Sequence, residues 1–437
     1  MNRFNKKRCF AILTAIYLNG CIRTQNYHAD IPNNPATKSI FYYHFDASDL
    51  NYSGKKDQYF QTSNAYEAYV EFNASGDPYS DEKGNDVQLK NALGLIQRVK
   101  HPVAGPARKI ALYVFIHGWK NNASEETGNV WGFRRFLSEI AAQHCNEPVV
   151  GVYIGWPGAA IKGDTFLTFW DREPVANNVG ANKHLTDTLR ALLQGAKGSS
   201  YNDGSTAVVI GHSFGGIVLE RAATTLLQEQ LANSAASPAE LFLLLNEAGA
   251  AAIGIDFLRQ LHREKVTYND NDHHPHPLLL SMTSTGDVAT KFAYPGAEFL
   301  SYKREKTTIY PVTDEFGQQN SLPYNILTAA NMVALQNHQI VPCTTPSANG
   351  LKITLTAKSS YCMNPVAGAL NTTPYWIMQL PQVFVPDHSS VFQAYMLKLI
   401  AAILQDSEVT SCTGNKRLAA EFVRSSPPGR PSLKKEQ

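Results

Sequence analysis

Ala207-Val208-Val209-Ile210-Gly211-His212-Ser213-Phe214-Gly215-Gly216-Ile217-Val218-Leu219 sets the pattern that the rest of the chain repeats. Four apolar residues, read as a buried strand, run into Gly211-His212-Ser213-Phe214-Gly215, and a helical pattern begins at Gly216. The pattern G-x-S-x-G arises often by chance. Strand, tight turn and helix in succession, however, form the context in which a turn lifts a serine above the end of a strand. Such a turn needs small residues where backbones approach closely, and Gly211 and Gly215 supply them. The same rhythm continues on both sides. Ile110 to Ile116, Val149 to Ile154, Leu241 to Leu245 and Leu278 to Met282 are apolar runs, the pattern of strands covered on both faces of a parallel sheet. Between them lie helical periods: Phe133, Phe136, Leu137, Ile140; then Leu185, Leu189, Leu192, Leu193; then Ile217 onward to Leu227. This alternation predicts an α/β fold, a doubly wound and mostly parallel sheet with right-handed crossovers. Ile40 to Phe45 and Ala68 to Phe72 read as strands near a sheet edge, and Tyr375 to Leu380 as the last strand, before a helix from Val391 to Leu404.

The composition suits that fold. In 437 residues, 43% are hydrophobic, 10% aromatic and 17% charged, which excludes a disordered chain, a collagen and a disulfide miniprotein. The net charge is +2, and four of the 39 basic residues (Arg3, Lys6, Lys7 and Arg8) precede residue 20, leaving 35 against 37 acidic ones beyond it. A near-neutral chain without a basic stripe has no electrostatic footprint for nucleic acid.

Those four basic residues precede an apolar run from Cys9 to Leu18, the arrangement of a secretory signal. The run is about ten residues, too short to span a bilayer, which takes roughly 20. Leu18-Asn19-Gly20-Cys21 resembles a bacterial lipobox, and the resemblance implies cleavage after Gly20 and lipidation of Cys21. Ile22 follows the cysteine where an acidic residue would retain a lipoprotein at the inner membrane, so outer-membrane placement is the expectation. Residues 1–20 are then a lipoprotein signal peptide and 21–39 a polar tether. Residues 40–424 form the folded domain, with 294–347 as a candidate lid insertion, and the Pro-rich, charged 425–437 a disordered tail. Of the cysteines left, Cys145, Cys343, Cys362 and Cys412, an exported protein can pair some, and Cys343 with Cys362 closes a short loop.

Ser213 in its strand, turn and helix, together with Ile116-His117-Gly118-Trp119 after an apolar strand, resembles the α/β-hydrolase family over about residues 40 to 402. In that family the backbone N–H of the residue after His-Gly and that of the residue after the nucleophile form an oxyanion hole. The resemblance thus assigns Trp119 and Phe214, although the HGGG form of the loop is absent. It implies Ser213 as nucleophile and the chain order serine, acid, histidine. His388, in Val385-Pro386-Asp387-His388-Ser389-Ser390 between the last strand and last helix, is the expected base. Asp287, in Thr283-Ser284-Thr285-Gly286-Asp287 after an apolar strand, is the expected acid, with Glu247 as the alternative. His117 is expected to support its loop and Asp387 to shape the turn beside His388. Tyr375-Trp376-Ile377-Met378 and the Pro-Asp-His wording look like a bacterial subgroup of serine hydrolases.

Asp270, Asp272, His273, His274 and His276 have no regular ligand spacing and read as a solvated loop rather than a zinc site. Lys120-Asn121-Asn122 and Trp170-Asp171-Arg172-Glu173 flank the expected site and are candidate substrate contacts, or solvated loop residues. The resemblance therefore implies a serine hydrolase, needing neither metal nor organic cofactor, that cleaves a small-molecule or lipid carboxylic ester. A membrane-held peptidase, thioesterase or acyltransferase on the same three residues stays open, as does a non-catalytic envelope lipoprotein.

Overall fold

The structure is a computed structural model that describes residues 26–28 and most of 65–404, with its longer breaks at 142–146, 160–167, 265–276, 303–311, 314–318, 321–325 and 367–372. The expected strand at 40–45, Cys21, Cys145, Cys412, the Asp270 to His276 cluster and the tail lie outside the described residues.

Seven strands form one wholly parallel sheet: β1 (Ala65–Glu71), β2 (Ala111–Ile116), β3 (Val149–Gly155), β4 (Thr206–His212), β5 (Leu241–Leu245), β6 (Leu279–Ser284) and Tyr375–Leu380. Their order across the sheet places β1 at one edge, then β3, β2, β4, β5 and β6, with Tyr375–Leu380 at the other edge. Every residue of β2, β3, β5 and β6 is buried. That is the physical reason these segments are unbroken apolar runs, since helices cover both faces. One face carries α1 (Val87–Lys100), α3 (Phe169–Ala181), α4 (Lys183–Lys197), α5 (Phe214–Asn233) and α6 (Ala252–Arg263). On the other pack α2 (Gly128–Ala141) and the last helix, Ala394–Leu404. The fold is thus α/β and doubly wound.

The winding reverses between β2 and β4, which pair directly with Ile116 opposite Gly211. In open α/β sheets a crevice opens where the winding reverses, outside the carboxyl ends of the strands. His117-Gly118 leaves the end of β2 there, and Ser213 leaves the end of β4.

Beyond β6 the chain forms α7 (Tyr294–Tyr302), a short pairing of β7 (Val312–Thr313) with β8 (Gln319–Asn320), and two single turns of 3₁₀-helix at 329–331 and 333–335. A second, antiparallel sheet of β9 (His338–Pro342), β10 (Leu351–Thr356) and β11 (Ser359–Pro365) follows. It carried no sequence-based expectation, although Ile353 and Leu355 alternate with exposed Lys352 and Thr354 in the period of a half-buried strand. Asn337, just before β9, donates to Tyr375 O at 2.9 Å and accepts from Ile377 N–H at 2.8 Å. One asparagine, whose own N–H also donates to Ile377 O, thus pairs backbone groups of Tyr375 and Ile377 on the outer edge of the last strand, β12 (Tyr375–Leu380). Cys343 and Cys362 form a disulfide, Cα to Cα 5.6 Å, that clips the end of β9 to β11. The final helix, α8 (Ala394–Leu404), starts three residues later than the apolar pattern suggested, because Val391 N–H closes a turn onto Ser389 O.

Within the segment read as a tether, Tyr27 and His28 are held against the domain. Both of their amides donate to the Glu71 carboxylate at 3.0 Å, and the His28 ring stacks on Tyr69 at 3.8 Å.

Candidate active site

Four loops meet at the carboxyl edge of the sheet, from the ends of β2, β4, β6 and β12. Ser213 heads the second, 3% exposed and at φ +57°, a left-handed conformation rare for a residue with a side chain. Its surroundings over-determine that strain. Ser213 N–H donates to Leu245 O, and Ser213 O accepts from Gly216 and Ala248 N–H. Gly215 packs so closely beneath the turn that an added Cβ would lie 2.2 Å from Ile116 O, as the sequence led one to expect.

His388 Nε2 lies 2.8 Å from Ser213 Oγ, and His388 Nδ1 lies 2.8 Å from Asp287 Oδ2. The structure therefore brings together the three residues the sequence singled out, from positions up to 175 residues apart. Asp287 is fully buried and begins the turn that follows β6; its Oδ1 accepts from Thr290 N–H and its Oδ2 from Thr290 Oγ1. Burial works against its ionisation, but the bonds from His388 and Thr290 outweigh it and hold the carboxyl below its ordinary range. A carboxylate at Nδ1 fixes the tautomer that leaves Nε2 free to take a proton from the serine.

Across from the serine, Gly118 comes so near that a Cβ there would meet Ser213 Oγ at 3.2 Å and His212 O at 2.8 Å. Trp119, the next residue, therefore has its amide beside the serine. Phe214 is the first residue of α5, where a helix amide has no partner within its own helix. The Trp119 ring lies 5.9 Å from Phe214 and 5.8 Å from Phe169, and Phe169 lies 5.8 Å from Tyr294. Phe169, Phe214 and Tyr294 are buried in the core, and Trp119 packs against it.

The remaining candidates have structural partners. Burial pushes the His117 imidazole down to about 4, so it is neutral; Nδ1 donates to Gly118 O at 2.9 Å and Nε2 accepts from Trp156 N–H at 3.0 Å, bracing the loop as expected. Asp387 accepts from Ser389 and Ser390 N–H and shapes its own turn. Glu247 faces Glu220 beneath the serine's helix rather than His388. The Lys120 ammonium sits over the Trp119 ring at 4.6 Å, and Asn121 donates to Trp119 O at 3.0 Å. Asn122 accepts from Ser124 N–H at 2.8 Å. Trp170 to Glu173 lie in α3, with Trp170 donating to Ala297 O at 3.3 Å and fully buried Arg172 donating to Pro157 O at 3.0 Å. Among the described residues no group of three or more His, Cys, Asp and Glu is placed to hold a metal ion.

Two residues at the site escaped the sequence reading. The side chains of His212 and Asn246 both reach the backbone carbonyl of His388, at 2.7 and 3.1 Å. Neither bond has a local sequence signal, since each joins residues more than 140 positions apart to a main-chain atom.

No family model and no curated protein matches the chain. Among solved structures, phospholipase PlaB from Legionella pneumophila in complex with thio-NAD aligns with a TM-score of 0.28 and 14% identity, over 72% of this chain and 62% of that one. A second structure of phospholipase PlaB from the same organism gives 0.28 and 12%, over 72% and 63%. The chain thus spans less than two thirds of that phospholipase's length. So loose a superposition transfers neither site nor substrate.

Proposed function

We propose that the chain is a serine hydrolase that cleaves carboxylic esters through an acyl-enzyme on Ser213. The observation that carries this is the unbroken line of hydrogen bonds from Ser213 Oγ through both nitrogens of His388 to Asp287. A serine hydroxyl is a weak nucleophile at neutral pH until an adjacent base accepts its proton. His388 takes that proton as Ser213 Oγ attacks the ester carbonyl, and the Trp119 and Phe214 amides stabilise the oxyanion. The proton then passes to the departing alcohol, and water, deprotonated by the same imidazole, releases the acid. Asp287 stays ionised throughout. No step calls on a metal or organic cofactor.

The half-buried Trp119, backed by the buried rings of Phe169 and Phe214, offers apolar surface beside Gly118. Val288, Phe292 and Leu300, in and beyond the turn that begins at Asp287, are more than half exposed. Both features favour a lipid ester. They also accord with a chain held on the outer membrane through a lipid on Cys21. Tyr27 and His28 are bound to Glu71, at the carboxyl end of β1 and so at the same edge of the sheet as Ser213. The five peptide links from Cys21 to Asn26 span at most about 18 Å of extended chain.

Hydrolysis of p-nitrophenyl esters of graded chain length, with matched thioesters and anilides, tests the proposal. Esters should turn over fastest, medium or long chains before acetate, and Ser213→Ala should reduce every rate to background. Turnover preserved in Ser213→Ala overturns the assignment. Hydrolysis of anilides or thioesters alone favours the peptidase or thioesterase alternative, and no turnover of any substrate favours a non-catalytic lipoprotein.

A further inference from the structure

The base that pairs with Ser213 sits on a loop, and loops hold catalytic geometry less firmly than strands and helices do. Asp287 fixes the rotation of the His388 ring through Nδ1, but one bond to a ring leaves the depth of the loop unset. The backbone of His388 has its own restraints. His212 Nε2 donates to His388 O at 2.7 Å, and Asn246 Nδ2 donates to the same oxygen at 3.1 Å and to Asp387 O at 3.2 Å.

Both donors are buried and rigidly placed. His212 is 2% exposed at the last position of β4, joined covalently to Ser213. Burial pushes its imidazole down to about 3, so the ring is neutral. With its single proton on Nε2, its Nδ1 is bare, and that atom is buried with no hydrogen-bond partner among the described residues. Asn246 is fully buried immediately after β5, at φ +48°. Its N–H donates to Met282 O and its Oδ1 accepts from Ser284 N–H, both at 2.8 Å. The amide group therefore has a single orientation, oxygen toward β6 and nitrogen toward His388. A strained, fully buried polar residue that ties β6 on one side and spends both of its side-chain N–H bonds on the loop of the base does more than fill the core.

We propose that His212 and Asn246 are positioning residues, which clamp the peptide carbonyl of His388 to the ends of β4 and β5 and so set the spacing of base and nucleophile. The proposal rests on the serine-hydrolase reading for its kinetic consequence and not for its geometry. Because His212 precedes Ser213 in the chain, the path from nucleophile to clamped carbonyl is one residue and one hydrogen bond. Displacement of a reacting group by about 1 Å costs on the order of a hundredfold in rate.

Asn246→Gly tests the clamp, since glycine keeps the left-handed backbone and deletes only the amide. Asn246→Asp keeps the acceptor for Ser284 N–H but cannot donate to His388. Both variants should lower kcat by about ten- to a hundredfold with KM within about twofold. His212→Gln, which retains an N–H donor, should recover part of the kcat lost in His212→Leu. Independent of activity, the low-field proton on His388 Nδ1, identified by its loss in His388→Ala, should be sharp in wild type and lost or broadened in Asn246→Gly. An Asn246→Gly protein with wild-type kcat and an unchanged His388 proton overturns the clamp. If the proton is lost in Asn246→Gly while wild type hydrolyses nothing, the clamp stands and the hydrolase reading falls.

Discussion

Asp287 sits at the bottom of the hydrogen-bonded line, fully buried and held ionised by His388 and Thr290. Its part in the proposed reaction is to keep the proton of His388 on Nδ1. Asp287→Asn presents an amide that can donate there and so favours the wrong tautomer. We expect kcat to fall by about four orders of magnitude while the fold survives, a magnitude taken from the best-studied triad. Steady-state kinetics with matched thermal melts will show it, and a loss under tenfold would place the acid elsewhere. At this scale the sequence was legible where the chemistry constrains residue type. A serine needs a base and the base needs an acid, so order and loop position lead to Ser213, His388 and Asp287. His212 and Asn246 were illegible because their partner is a main-chain carbonyl, which any residue supplies.

Among the elements, α5 leads away from Ser213 and carries a buried acid on its inner side. Glu220 accepts from the Tyr375 hydroxyl of β12 at 3.1 Å and faces Glu247 after β5. Burial pushes both carboxyls up, and for Glu247 the neighbouring Glu220 adds to the rise. Two facing carboxyls are stable only while a proton lies between them. A carboxyl whose folded pKa is raised stabilises fully below its unfolded value, near 4.5, and loses that contribution as pH rises. The slope is about 1.4 kcal/mol per pH unit for each group while it titrates. Glu220→Gln removes one group and keeps a partner for Glu247. Its unfolding midpoint should therefore gain on wild type as pH goes from 5 to 8, whereas parallel curves would mean the pair does not share a proton. The core strands of the sheet were legible as apolar runs because both faces are covered. Helix α3 was not, because Arg172 and Asp171 interrupt its apolar side, and Arg172 is buried for its bond to Pro157 O rather than exposed as its charge suggests.

On the scale of the whole molecule, a reversal in winding order places the ends of β2 and β4 side by side, and Gly118 and Ser213 meet there. The doubly wound class was legible from alternating strand and helix patterns alone. The second sheet was not, because His338 to Pro365 carries only short alternations among polar residues, and its pairing is fixed by contacts with β12 and by a disulfide. None of this architecture by itself makes a catalyst. Intact-mass measurement after treatment with a fluorophosphonate reports whether Ser213 is an activated nucleophile. One phosphonyl adduct is expected on the wild-type protein and none on Ser213→Ala. A folded wild-type protein that takes up no adduct, or a Ser213→Ala protein that still takes one, would mean that Ser213 is not the activated nucleophile.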